Sequence, residues 1–357
     1  MNDIRPQGLS VVIPVKGRVG LLRDLLVSLR TARAGCGEPT EVLVVDDSTA
    51  GDADAHRRSC AELDACYLRG PRRVGSKRNL GARAARYDQL VFVDSDCRVT
   101  DAYLARIGKV LRDSPPEVGG VAGPVRMVGE ETAVLRLFRR TQELNQPFSW
   151  PDRYAQITWS ACANLAVRAE AFHAIEGFAE DTLTVVGGED VDLGIRLTKS
   201  GRPILCDPDS VVLHSRATGD SVGSIGRRLF TYGRSATWLD REHPERRNFR
   251  LNPISVVASA AAVALATAGP TRGRSLAAVP VVLAAVVAAH ARHRLRPGDG
   301  PAALPEVLAS TLLDWSFDLG EFVGAWQLRR PRYLFSRFGF MDGDTFRAQP
   351  DGEGARR

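Results

Sequence analysis

Short unbroken apolar runs in the first hundred residues end abruptly on polar chemistry. Leu9-Ser10-Val11-Val12-Ile13-Pro14-Val15 runs into the turn Lys16-Gly17-Arg18, Glu41-Val42-Leu43-Val44-Val45 into Asp46-Asp47, and Leu90-Val91-Phe92-Val93 into Asp94-Ser95-Asp96. Runs of β-branched and aromatic residues without alternation predict strands covered on both faces, as in a parallel sheet. Between the first two, leucines recur at helical spacing from Leu21 to Leu29. A strand, helix, strand unit of this length implies parallel strands with a right-handed crossover. The carboxylate pairs then share one edge of the sheet, the crevice where open α/β sheets take ligands.

The pattern continues in the same manner. Gly75 to Ala85 predicts a helix with Lys77, Arg78 and Asn79 in its first turns. Cations there gain nothing from the helix dipole, so an anionic neighbour or a plain solvated basic face would account for them. Val118 to Val125 reads as a strand, Glu130 to Asn145 as helical, Trp159 to Arg168 as a strand of small residues and Ala169 to Ile175 as a short helix. Gly187 to Leu197 opens a helix with Glu189, Asp190 and Asp192 at its start, as the dipole favours. Residues 204–208 and 210–214 read as short closing strands. The fold class expected is α/β, a Rossmann-like mixed, mainly parallel sheet flanked by helices over residues 1–248. A helical extension over 249–341 and a disordered tail over 342–357 complete the expected layout.

In that extension, Ile254 to Ala268 and Leu276 to Ala291 are Ala/Val-rich runs joined by a Gly/Pro/Arg turn. Each falls short of the ~20 residues that span a bilayer comfortably. As a membrane hairpin, with Arg250 before it and Arg292, Arg294 and Arg296 after, it would keep both outer ends on the cytoplasmic face. A soluble helical pair packed on the domain is the rival reading. Leu304 to Trp326 suits an amphipathic helix docked at an interface or on the hairpin.

Composition adds bounds. With 44% hydrophobic and 25% charged residues in 357, the chain is a folded globular protein. Its formal charge of +6 is spread along the sequence, which predicts a solvated surface and no nucleic-acid partner. Six cysteines without a CxxC pair or zinc spacing indicate reduced thiols in a cytosolic compartment. Met1 to Ser10 lacks the apolar core of a signal peptide.

Asp94 and Asp96, one residue apart beyond a central strand, can hold a hard divalent cation that in turn grips a diphosphate. Singly, each acidic group has a dull explanation as a turn cap or a helix-start charge. The ordered set Val11-Val12-Ile13-Pro14, Val44-Val45-Asp46-Asp47-Ser48, Arg78-Asn79, Asp94-Ser95-Asp96, Asn164-Leu165-Ala166-Val167-Arg168, Gly177-Phe178, Gly188-Glu189-Asp190-Val191-Asp192-Leu193 and His214 resembles a family 2 glycosyltransferase of the GT-A fold, over roughly residues 8 to 245. Lys16 departs from that pattern, which often has asparagine or arginine there.

The resemblance implies a nucleotide-diphosphate sugar donor and a hydroxyl-bearing acceptor. Pro14, Val15, Asp46 and Asn79 would line the base and ribose side, with Lys16, Asp47 and Ser95 also at the donor. Lys77 and Arg78 would reach the phosphates, and Asp94 would lean toward the ribose or sugar. Asp96 and His214 would ligate Mn2+ or Mg2+, the imidazole favouring Mn2+. Asp190 would be the catalytic base of an inverting reaction, with Glu189 beside it, and Trp159 and Asn164 would meet the acceptor. The segment after the domain, Ile225 to Pro244, resembles that of family members acting on lipid-linked or small peptide-derived acceptors. A sugar nucleotidyltransferase and an inactive membrane scaffold on the same sheet are the competing readings.

Overall fold

The computed structural model describes residues 5–180, 187–215, 221–296, 298–341 and 347–348. The first half alternates strand and helix: β1 Leu9–Val15, α1 Val19–Ala34, β2 Thr40–Asp46, α2 Ala50–Glu62, β3 Cys66–Arg69, α3 Val74–Ala84, β4 Gln89–Phe92, β5 Cys97–Val99 and α4 Tyr103–Asp113. Next come β6 Gly120–Ala122, β7 Val125–Val128, α5 Ala133–Arg140, α6 Gln142–Asn145, β8 Tyr154–Ile157, β9 Leu165–Arg168, α7 Ala169–Ala174, α8 Glu189–Lys199, β10 Ile204–Cys206 and β11 Val212–Ser215. The remainder is α9 Val222–Glu242, β12 Arg247–Phe249, α10 Pro253–Ala266, α11 Ala278–Arg292, α12 Leu304–Gln327, β13 Ser336–Phe338 and β14 Arg347–Ala348.

The main sheet has the order β14-β8-β10-β6-β9-β4-β1-β2-β3. β4, β1, β2 and β3 pair in parallel, as do β10 and β6, while β9 and β8 run against their neighbours. The unbroken apolar runs are the reason: β1, β2 and β4 sit in the middle with both faces covered, and every residue of β1 is buried. The parallel register Val15↔Asp46 brings the ends of β1 and β2 level. A small second sheet, β5-β11-β7, pairs His214 with Cys97, one residue after Asp96.

Three expected elements change. Val118 to Val125 is not one strand but holds β6, Gly120–Ala122 in the main sheet, and the first residue of β7, which lies in the small second sheet. Of Trp159 to Arg168, only Leu165–Arg168 is strand, because the Asn164 amide bonds the Pro124 and Ser210 carbonyls and fixes a loop before it. The charged stretch 130–145 splits into α5 and α6 at Thr141, whose backbone is extended. Of the expected disordered tail, only Arg347–Ala348 lies within the described residues, as an edge strand on β8.

The extension shares the domain's core. Ile225, Leu229 and Trp238 of α9, Leu313 and Phe317 of α12 and Phe338 of β13 belong to one buried cluster with Phe92 and Leu165 of the sheet. α9 and α12 cross so closely that a Cβ on Gly233 would collide with the Phe317 carbonyl, and one on Gly320 with that of Phe230. α10 and α11 pack on each other and on α12 but leave much apolar surface in the open, including Val263, Leu265 and Val281. Arg274–Arg292 is long and apolar enough to cross a membrane, and almost none of it is buried.

Candidate active site

The loop after β1 places the first cation. Gly17 and Arg18 both take left-handed backbone (φ 62° each), turning the chain back over the sheet edge before α1 begins. Arg18 thereby reaches Asp96 Oδ2. Asp96 Oδ1 is buried without a hydrogen-bond partner and lies 3.3 Å from His214 Nε2. The other ring nitrogen of His214 faces the Ser215 carbonyl at 3.2 Å. A carbonyl can only accept, so Nδ1 carries a proton and Nε2 is left facing the carboxylate.

A buried carboxylate oxygen without a hydrogen bond, facing an imidazole nitrogen, offers a donor pair for a cation. Carboxylate oxygen with imidazole nitrogen is a donor set that Mn2+ accepts readily and Mg2+ less so. Cys97 lies within the same cluster, but burial raises its thiol well above the usual range, with Asp94 and Asp96 adding to the effect, so it stays protonated.

The second group of charges is built around Arg78. Its guanidinium is 4% exposed, donates to Asp94 Oδ1 at 2.7 Å, lies 3.4 Å from Glu189 Oε1 and stands over the Phe178 ring. This one residue joins the end of β4 to the start of α8. Gly187 and Gly188, with φ of 99° and 85°, make the turn that presents Glu189 and Asp190, and a Cβ at Gly187 would strike Tyr232. Burial, then the neighbouring Glu189 charge, push the Asp190 carboxyl up to about 7 against the pull of Arg78. Asp192 points away from this pair and is held by Arg196 and His243, which fasten α8 to its neighbours.

A cavity of about 540 Å3 contains Arg78, Asp94, Glu189 and Asp190 at one side. Aromatic residues form much of the rest, with Phe148, Trp150 and Trp159 from the domain and Phe317, Phe338 and Phe340 from the extension. Trp159 is mostly buried, donates to the Phe340 carbonyl at 2.8 Å and stacks edge-on against Trp150. A second cavity, of about 590 Å3, lies at the ends of β2 and β3, lined by Lys16, Asp47, Ser48, Arg69 and Arg72.

Several expected site residues are engaged elsewhere. The Asp46 carboxylate is wholly buried; burial raises its pKa, yet hydrogen bonds from Ser48, His56 and Tyr67 hold it below the ordinary value. Its charge anchors the strand end rather than facing a ribose. Lys77 is locked between the Val15 carbonyl (2.9 Å) and Asp47 Oδ1 (2.5 Å), beneath the open surface. The Asn79 amide bridges Phe178 backbone and Glu180. Asn164, expected at the acceptor, is instead a core amide that accepts from the Tyr103 hydroxyl and donates to two carbonyls. Pro14, Val15 and Ser95 are buried at the strand ends, whereas Lys16 is exposed, 3.7 Å from Asp47. Arg18, Tyr232 and the residues of the extension were not singled out for the site, though the left-handed turn at Gly17-Arg18 beside a carboxylate edge is a signal for the first.

Residues 10–174 match the family model described as Glycosyl transferase family 2. The chain is 31% identical over 242 residues to the pre-mycofactocin glycosyltransferase of Mycobacterium tuberculosis, covering 66% of this chain and 48% of that one. It is 30% identical over 250 residues to the validoxylamine A glucosyltransferase of Streptomyces hygroscopicus, covering 61% and 58%. The chain thus spans about half the length of these relatives. A mannosyltransferase from Pyrobaculum calidifontis, solved in complex with GDP-Man and Mn2+, superposes with a TM-score of 0.54 over 91% of this chain and 90% of its own. At 19% identity, that likeness is one of fold.

Proposed function

We propose that this chain, which has a GT-A-type fold and matches the Glycosyl transferase family 2 model over residues 10–174, is a metal-dependent, inverting glycosyltransferase of that family that moves a sugar from a nucleotide diphosphate to an acceptor hydroxyl. The observation that carries this reading is one cavity holding Asp94, Arg78, Glu189 and Asp190, with the last carboxyl poised near neutrality.

Asp96 and His214 would hold the divalent cation, which supplies Lewis-acid neutralisation of the departing diphosphate. Lys16, Arg69 and Arg72 edge the cavity that takes the nucleotide, and their charges offset its phosphates. Asp94, fixed by Arg78, turns toward the sugar hydroxyls. Asp190 accepts the proton of the acceptor hydroxyl as its oxygen bonds the anomeric carbon and the carbon–oxygen bond to the diphosphate breaks. A single carboxylate base opposite the leaving group implies in-line displacement, so the anomeric configuration inverts. Glu189 raises the basicity of Asp190 and shares Arg78 with Asp94. The aromatic walls exclude water and take the apolar faces of the acceptor. The exposed apolar pair α10 and α11 seats the protein on the cytoplasmic face of a membrane.

The test is Asp190→Asn. Transfer should fall by about 10²–10⁴-fold, the range of a lost general base, while metal-dependent donor binding measured by calorimetry stays within a factor of two or so of wild type. Loss of donor binding as well would make Asp190 a positioning residue and overturn its role as base.

A further inference from the structure

A third cleft, of about 760 Å3, adjoins the aromatic cavity between the domain and the foot of α11. Six arginines line it: Arg126, Arg139, Arg140, Arg153, Arg294 and Arg296. No carboxylate among the described residues does. The acids that neutralise this group sit behind it. Asp152 takes Arg126, Glu131 takes Arg139, Asp299 and Glu306 take Arg140, and Asp314 takes Arg294. The guanidinium groups of Arg153 and Arg296 form no ion pair within 4 Å among the described residues, and both residues are exposed; that of Arg296 donates to the Arg139 carbonyl at 3.1 Å, while its backbone N–H donates to Asp299 Oδ2 at 2.9 Å. The side chains of Gln142, Asn145 and Gln146 add amide donors to the same walls. Such a surface matches an oxyanion with several acceptor oxygens, for which planar arginine forks are well shaped.

The location says which oxyanion. Arg294 and Arg296 immediately follow the exposed apolar helix Arg274–Arg292, so the cleft stands at the level where that helix would leave a bilayer. The phosphates of an anionic leaflet lie at that level. We propose that the cleft binds the phosphate headgroup of an anionic phospholipid, with Arg153 and Arg296, whose guanidinium groups carry no ion pair among the described residues, as the principal contacts and the others as a prearranged rim. The proposal rests on the membrane-seated reading of α10 and α11, and adds a headgroup preference that the apolar helices alone would not give. Lipid capture here would fix the height of the 540 Å3 cavity above the membrane, since Gln142, Gln146 and Phe148 line both spaces.

Co-flotation of the full chain with vesicles of phosphatidylcholine, alone or with one-third phosphatidylglycerol, tests this. Wild type should partition onto both and favour the anionic vesicles, and the Arg153→Gln/Arg296→Gln protein should lose that preference, by roughly fivefold per arginine, while keeping its binding to neutral vesicles and its donor hydrolysis. Equal partition of the variant and wild type onto anionic vesicles would overturn the proposal. So would a wild type that binds both vesicle types alike, an outcome that leaves the membrane reading standing. A wild type that binds neither removes the membrane reading together with the headgroup site. Finally, if millimolar inorganic phosphate stabilises wild type but not the variant, and the vesicles show no preference, the cleft is a free-anion site and the lipid assignment is wrong.

Discussion

His214 Nε2 lies 3.3 Å from Asp96 Oδ1, a buried carboxylate oxygen with no hydrogen-bond partner, across the end of the central sheet. Strand pairing makes this happen: β11 lies antiparallel to β5, setting His214 opposite Cys97, and the Ser215 amide closes on the Asp96 carbonyl at 2.7 Å. The pair is therefore held by backbone, and in the proposed reading a cation completes it. Removing either ligand, as Asp96→Asn or His214→Ala, should weaken Mn2+ binding by about 10–100-fold, read by the electron paramagnetic resonance of free Mn2+. Wild-type affinity in both variants would move the ion elsewhere.

Asp190 gives the reaction an acid limb. With its carboxyl raised to about 7, the acceptor proton can be taken only above that pH, so kcat/KM should climb as pH rises through about 7. Glu189 is one cause of the elevation, and Glu189→Gln should move the limb to lower pH. A profile that is flat from pH 5 to about 8, or a limb that the substitution does not shift, would dissociate Asp190 from the proton transfer.

Asn164 separates core from acceptor. Its three side-chain hydrogen bonds lie in a fully buried setting, and Asn164→Ala leaves the Tyr103 hydroxyl and two carbonyls without it. The expected cost is about 1–3 kcal/mol in urea unfolding, with acceptor KM unaltered. A raised KM at wild-type stability would return the residue to the acceptor site.

The face of α12 that packs inward carries Asp318, which burial and then the charges of Glu143 and Asp314 push up to about 8, and α9 adds Asp240, which burial pushes to about 7. Both pKa values are raised above those of the unfolded chain, so the native state binds more protons between the two values. Their contribution to stability is full below about 4 and is lost as pH climbs through 7 to 8. Melting temperature should fall across that window, and Asp318→Asn should flatten the fall. A Tm that rises from pH 6 to about 8 would contradict this.

Much of the first half was legible because β1, β2 and β4 are mostly apolar and lead into charged residues, the pattern of buried parallel strands. The edge strand β3 was not, since Cys66, Tyr67 and Arg69 remain partly or largely exposed and carry no apolar run. α2 escaped for a related reason: His56 and Ser59, two of the four residues it buries, are polar. At the site, proximity in sequence identified Asp94, Asp96, Glu189 and Asp190. Whether a polar side chain faces the cleft or satisfies the backbone depends on contacts from distant segments, and there Asp46, Asn79 and Asn164 went the other way. The pairing of Arg18 with Asp96, and the aromatic wall from Phe317 to Phe340, join segments far apart in the chain and left no local mark.

The account stands on an ion at Asp96 and His214 serving the departure of a nucleotide from its sugar. Release of nucleoside diphosphate from a panel of nucleotide sugars, with Mn2+ and with excess EDTA, measures that directly. The account predicts release from at least one donor that stops on chelation, returns with added Mn2+ and is absent in Asp96→Asn. Release that continues undiminished in EDTA, or that survives in Asp96→Asn, would contradict it.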